Sequence, residues 1–460
     1  MNTSADHTAT QRPPVLHWRQ ETRATVTLAL PLVFTLLAYM AILTTDVLMM
    51  GWLGPKSLAA GSLSAHLYGF FEFFCMATLG AVAPIVAQNI GARRFRMVRR
   101  SVRQGLWLAV ILAVPCSIII WHTGSLLVLL GQDPELAFAG QAYVRWMVLG
   151  LQPALWHTVF HEFLTAHARP RASLVIMVVG IGINGLADYA LMFGHFGFPE
   201  MGLEGAGLAS AFVSTLMFLM MLAFISTDRR LKRYAMLGRF WRADWSRLAE
   251  LLRVGIPMGI TEMAEGGMFA ASALLMGLVG TEALAAHAIT VQCAALAFMV
   301  PLGIGQAATV RVGRAVGAGN LPAATRAGWN AQVIGICFAF LPAATFWFLG
   351  GTIVALFLDT SVPGNSGTVE FAVSFFAIAA MFQFADSTQV TALGALRGYK
   401  DTRGPMIVAL VGYWGIGLPS AAFFGIYLGY GGEAIWYSLV AGLSVVSAFL
   451  LWRLRLQTMT

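Results

Sequence analysis

The sequence predicts an all-α polytopic membrane protein, with twelve transmembrane helices in two six-helix lobes related by pseudo-twofold symmetry about the membrane normal. Three observations carry that prediction. Apolar residues make up 58% of the 460 and charged residues only 11%, against about 25% charged in a soluble domain. Twelve apolar stretches each reach the length of about 20 residues that a bilayer-crossing helix needs. The second half of the chain also repeats the first at a constant offset.

Taken in order, residues 1–25 are polar and form a cytoplasmic N-terminal segment. Cutting at charge clusters and Gly/Pro/Asp turns then places six spans at approximately 26–51, 58–90, 102–123, 137–165, 172–195 and 203–226, the N-lobe. The first is longer than the apolar core of about 7–15 residues in a cleavable signal, and reads as an anchor. A basic cytoplasmic linker covers 227–251. The C-lobe, 252–455, holds spans at 252–279, 284–311, 327–358, 370–395, 405–428 and 433–454, and 456–460 is a cytoplasmic tail.

Positive charge orients the spans, because Lys and Arg accumulate on the cytoplasmic side. One set of span ends holds 27 of the 29 basic residues, from Arg12 through the run Arg229 to Arg253 to Arg455. The opposite face has Lys56, and Arg145 lies within a span. The alternation is unbroken, which predicts a multi-pass protein with both termini cytoplasmic. The charge is an orientation code spread over short loops, and no nucleic-acid partner is expected.

The repeat runs without a gap for about sixty residues at an offset of 226. It pairs Pro31 with Pro257, "LGPKSLAA" at Leu53 with "VGTEALAA" at Val279, and "NIGAR" at Asn89 with "AVGAG" at Ala315. Six spans per copy give both copies the same orientation, hence two parallel lobes with a substrate path between them.

Seven of the 21 acidic residues fall inside spans: Asp46, Glu72, Glu162, Asp188, Glu262, Glu265 and Asp386. An ionised carboxylate at the bilayer centre costs at least about 2.5–3.5 kcal/mol. Seven unpaired ones would cost roughly 20 kcal/mol, more than a typical stability of about 5–15 kcal/mol. Arg145 alone is available as a permanent basic partner within the membrane. The acids must therefore face a hydrated cavity, hold a cation or carry a proton, which points to a cation pathway. Asn184 and Asp188, one turn apart, share a helix face with each other. Glu262 and Glu265 lie three apart on the seventh span, and Asp386 sits mid-helix near Gln389. The four cysteines have no metal or redox spacing. His157, His161 and Glu162 cluster on the fourth span, with too few ligands in register for a metal site.

Three longer segments resemble the multidrug and toxic compound extrusion (MATE) family, in its NorM-like branch. They are "PIVAQNIGA" at Pro84, "AAHAITVQCAALAFMVPLGIGQAATVRVGRAVGAG" at Ala285 and "DSTQVTALGALRGYKDTRGPM" at Asp386. The resemblance covers nearly the whole chain and implies a secondary active antiporter of the bacterial cytoplasmic (inner) membrane. Such a protein exports small cationic aromatic drugs and dyes in exchange for Na+ or H+, and needs no cofactor. Residue by residue, Asp46 matches the family's first-helix acid. Asn184 and Asp188 match polar positions of the fifth helix, the second often Asn in relatives. Glu265 and Asp386 match the acids of the seventh and tenth helices, a pair able to hold Na+, and Gln292 matches a polar position of the eighth. Phe382 stands where some relatives carry Tyr, which removes a hydroxyl from that set. Glu72 and Glu262 are additions to the pattern. A monomer is expected, with membrane lipid around it.

Two other readings compete. A lipid-linked oligosaccharide flippase of the same superfamily would carry an anionic diphosphate and call for a basic central cavity, whereas the embedded charge is acidic. A polytopic membrane enzyme would need a nucleophile–base or metal constellation, and the His157, His161 and Glu162 cluster is the one candidate. A passive channel is disfavoured by the twofold repeat with central acids, which suits alternating access.

Overall fold

The computed structural model describes residues 16–236, 238, 242–359 and 362–459. Fifteen residues of the N-terminal segment, including Arg12, four of the basic linker and Thr460 of the tail lie outside them. Among the described residues the first six spans are α1 (Trp18–Trp52), α2 (Pro55–Leu79) with its continuation α3 (Val82–Gly91), α4 (Phe95–Trp121) with the short α5 (Thr123–Leu129), α6 (Pro134–Ala166), α7 (Pro170–Phe193) and α8 (Leu203–Thr227). The second six are α9 (Trp245–Val279), α10 (Thr281–Gly317), α11 (Leu321–Val354), α12 (Ser366–Gly398), an interrupted eleventh span and α15 (Gly431–Met459). The eleventh runs as α13 (Arg403–Leu410), a π-helical stretch Val411–Gly417, α14 (Leu418–Ser420) and a second π-helical stretch Ala421–Tyr427.

Eleven of the twelve spans are both long and apolar enough to cross a membrane. The other, α6, has the length, but Gln141, Arg145, Gln152, His157, His161 and Glu162 dilute its hydropathy. Several helices run beyond the expected bounds, among them α1 from Trp18, α4 from Phe95 and α10 to Gly317. The linker gives way to helix at Trp245, because the Asp244 carboxylate accepts the N–H of Arg247 and caps α9. The tail is helical as far as Met459. The linker is also tied down by charge, through Arg169–Asp228 at 2.6 Å and Arg100–Asp244 at 2.6 Å.

Each lobe has its own apolar core. That of the N-lobe centres on Leu151, Leu155, Val159 and Phe160 of α6, and that of the C-lobe on Phe375, Phe376, Trp436 and Leu439. The internal repeat is visible in the backbone. The turns between the first two helices of each lobe use Gly54 (φ +109°) and Gly280 (φ +155°), conformations that L side chains avoid.

The lobes meet toward the basic-loop side. Leu28, Ala29 and Leu32 of α1 pack on Ile304, Ala307 and Ala308 of α10. The Glu21 carboxylate accepts two hydrogen bonds from Arg311, at 2.8 and 2.5 Å. At the ends of α3 and α10 the repeat-related glycines Gly91 and Gly317 cross. A Cβ on Gly91 would lie 2.0 Å from the Arg314 carbonyl oxygen, and one on Gly317 would lie 2.0 Å from that of Gln88. Gln88 and Arg314, again 226 apart, reach across in opposite directions. Gln88 Nε2 donates to the Gly398 carbonyl (2.9 Å), and Arg314 donates to the Ala166 carbonyl (2.6 and 3.0 Å).

Candidate functional site

Beyond this crossing the two lobes enclose a cavity of about 410 Å³. Phe70 and Phe73 of α2 form one wall, and α9, α10 and α12 form the other. Glu262, Glu265 and Asp386 open onto it among Phe269, Phe298 and Phe382. The volume falls in the range of about 300–1,000 Å³ usual for small-molecule sites, and the lining has the usual form of an apolar wall with few polar groups.

The carboxyls are placed by helix geometry. Glu262 and Glu265 sit one turn apart on α9, and Asp386 lies midway along α12 opposite them. Gln389, one turn beyond Asp386, donates from Nε2 to Glu265 Oε2 at 3.0 Å. The Tyr413 hydroxyl donates in turn to Gln389 Oε1 at 2.5 Å. Asp386 is buried and lies, with Glu262, within electrostatic reach of Glu265. Phe382 is buried between Phe269 and Trp436, with ring centroids 6.0 and 6.1 Å away. Gln292 is exposed on α10 and does not line the cavity, although its neighbours Val291 and Ala294 do.

Two charge assignments change. Glu262 is not without a counter-charge: Arg397 in the last turn of α12 donates to its Oε1 at 2.5 Å. Arg397 falls beyond the expected end of the tenth span at 395, but α12 continues to Gly398 and carries it into the lobe. Arg145, the expected basic partner within the membrane, forms no ion pair with a carboxylate among the described residues. Its guanidinium lies over the Trp121 ring, 5.0 Å from the centroid, and its Nε donates to the Trp121 carbonyl at 3.4 Å.

The N-lobe acids form a separate group where α1, α7 and α8 converge. Asn184 Nδ2 donates to Asp46 Oδ1 at 3.0 Å, and the Ser210 hydroxyl donates to Oδ2 at 3.4 Å. Asp188 is fully buried beside Asp46, and among the described residues neither of its oxygens has another partner. The two neighbouring carboxyls are thus packed together on facing helices with Asn184 and Ser210 as the neutral donors around them. Glu72 has the Tyr39 hydroxyl at 3.5 Å. Tyr39 occupies the repeat position of Glu265, and Glu72 that of Phe298, so the two lobes carry an acid–aromatic pair with the members exchanged.

Among the described residues no three His, Cys, Asp or Glu side chains converge as a metal cage. His157 and His161 stack at 6.5 Å between centroids. Sequence reasoning missed the phenylalanine wall of α2, because Phe is too abundant to single out Phe70 and Phe73. It also missed Tyr413, whose place depends on the interrupted eleventh helix. The polar run around Gln389 was the one signal for the link to Glu265.

The family profile MatE matches residues 31–190 and 257–423, two blocks that begin 226 residues apart. The chain is 45% identical over 444 residues to a probable multidrug resistance protein NorM of Mesorhizobium japonicum, covering 96% of this chain and 95% of that one. It is 42% identical over 441 residues to the protein of the same name in Brucella suis, covering 95% and 93%. Among solved structures it superposes on the eukaryotic MATE transporter AtDTX14 with a TM-score of 0.83 at 20% identity, covering 96% and 98%. A MOP superfamily transporter from Pyrococcus furiosus, described as having a binding pocket of reverse polarity, matches with a TM-score of 0.85 at 19% identity, covering 95% and 96%.

Proposed function

The chain belongs to the MatE family of transporters, and on that premise we propose that it is a secondary active antiporter. It exports organic cations and drugs across the cytoplasmic membrane in exchange for Na+ or H+ by alternating access. The observation that carries this reading is the cavity between the lobes, where three carboxyls stand among phenylalanines. Aromatic faces and carboxylates together suit flat organic cations. The flippase reading fits less well, because no basic side chain lines that cavity.

In the mechanism supported here, Glu265 and Asp386 are the coupling carboxyls. Each is neutralised alternately by the driving ion and by the cationic cargo, so binding of one favours release of the other. The driving ion is itself a substrate, taken from the side to which the cavity opens. Asp46, with Asn184 and Asp188 as hydrogen-bonding neighbours, supplies a second ion or proton site in the N-lobe. The basic-loop side is cytoplasmic, and closing it by the Gly91–Gly317 crossing makes this the outward-facing state.

The test is dye efflux from proteoliposomes with Na+ and proton gradients imposed separately. Asp386→Asn and Glu265→Gln keep shape and hydrogen bonding but remove the exchangeable charge, so each is expected to abolish ion-driven efflux in a folded protein. Undiminished transport by both purified variants would end the assignment.

A further inference from the structure

Tyr413 is fully buried, and nothing in the ion-exchange chemistry calls for it. It lies in the π-helical stretch Val411–Gly417, where backbone bonds run one residue further than in an α-helix. Small residues allow this stretch to sit close to its neighbours: a Cβ on Gly412 would come within 2.2 Å of Val446 Cγ2. The adjacent Trp414 donates from Nε1 to the carbonyl of Ala264 at 3.0 Å, and Ala264 immediately precedes Glu265. The Trp414 ring also covers Gly267, where a Cβ would lie 2.8 Å from Cζ2. Two consecutive side chains of the stretch thus address one turn of α9, Trp414 directly at its backbone and Tyr413 at its carboxyl through Gln389.

The geometry points to Tyr413 as a positioning residue for Glu265, acting by fixing which end of the Gln389 amide faces the carboxylate. A glutamine amide has a donating NH2 end and an accepting oxygen end. In the observed orientation the chain of donors runs from the Tyr413 hydroxyl to Gln389 Oε1, and from Gln389 Nε2 to Glu265. Turned over, the amide would set its oxygen against the carboxylate oxygen and leave the Tyr413 O–H without an acceptor. Both changes are unfavourable in a buried site. Tyr413 therefore holds a donor on Glu265, and with it the carboxyl in the direction from which it meets an ion.

The inference rests on Glu265 being a coupling carboxyl, and the experiment separates the two. Dye efflux is measured in proteoliposomes as a function of the imposed Na+ or proton concentration for Tyr413→Phe, Gln389→Leu, their double variant and Glu265→Gln. Tyr413→Phe retains the ring and loses only the hydroxyl. It is expected to shift the half-saturating ion concentration roughly tenfold, downward for protons, because a donor on an ionised carboxyl opposes its protonation, and upward for Na+, whose carboxyl ligand is left unaligned, with the maximal rate kept within about twofold. Gln389→Leu breaks the same chain at its middle and should do the same, whether or not Phe is tolerated at position 413. If Tyr413 acts through Gln389, the double variant is no worse than Gln389→Leu. Unchanged half-saturation in Gln389→Leu, or single effects that multiply in the double variant, overturns the inference. A defect in Glu265→Gln beside normal Tyr413→Phe and Gln389→Leu overturns it alone. Normal transport by Glu265→Gln overturns the coupling role of Glu265 and the inference with it.

Discussion

Placing a methyl group on Gly91 or Gly317 is the most direct perturbation of the closed side. Each Cβ would begin 2.0 Å from a backbone carbonyl oxygen of the other lobe and would need 3.4 Å for ordinary contact. The obstacle is main chain in both cases, so no side-chain rotation relieves it. The lobes must separate, and that lengthens the bonds from Gln88 to Gly398 and from Arg314 to Ala166. Overpacking of this kind costs about 1–3 kcal/mol. The penalty applies only while this side is shut, so it shifts the equilibrium away from the closed form by roughly 5- to 150-fold. Gly91→Ala and Gly317→Ala should act alike, and the pair should be less than additive because both push apart one crossing. Spin labels at Arg94 and Leu321, exposed positions beside the crossing on opposite lobes, report the separation by electron–electron distance measurement. Longer distances in the alanine variants, together with slower efflux, are expected. A distance distribution in the double variant that matches the parent would refute the reasoning.

Three further outcomes follow from the same geometry. Asp46→Asn should impair transport, and its effect should add in free energy to that of Asp386→Asn, since the two acids lie in separate groups; a double variant no worse than either single one would indicate a shared pathway. Arg397→Gln leaves Glu262 beside other acids and, for a partly exposed pair, should cost about 2 kcal/mol of stability. Adding Glu262→Gln should recover most of that in thermal melts in detergent, and an undiminished melting temperature in the single variant would count against the pair. Monovalent aromatic dyes should bind more tightly than neutral isosteres by roughly 5- to 150-fold, as expected for an opposite charge worth about 1–3 kcal/mol, and equal binding would confine the acids to ion coupling.

Architecture was legible because two strong physical signals agree. Hydrocarbon demands long apolar helices, and the loop charges keep one alternation throughout. The repeat offset read from Pro31 and Pro257 reappears in the Gly54 and Gly280 turns and in the Gly91–Gly317 crossing. The candidate site was legible where an ionisable group stands out against an apolar background, as with Asp46, Glu265 and Asp386. Partnerships were much less so. Arg397 reads as a loop cation until α12 is seen to continue to Gly398, and Arg145 reads as a counter-ion until it is found on Trp121. Gln292 has the right residue type on the right helix but the wrong rotation about its axis, which a short polar position in an apolar run does not specify. Tyr413 depends on a local change of helical pitch, for which one sequence carries no periodic signal.

If Glu265 and Asp386 are the coupling carboxyls proposed above, the clasp on the basic-loop side has a thermodynamic consequence for them. With that end shut, Glu265 and Asp386 equilibrate with a single reservoir, and their occupancy reports the chemical potential of ions in that compartment alone. Reversing the clasp changes which reservoir they sample without altering a ligand. A gradient then does work through the difference between two occupancies of the same pair of residues. On that reading the small residues at the crossing determine which solution the acids are in contact with, and a protein that closed neither end would dissipate the gradient through the same carboxyls.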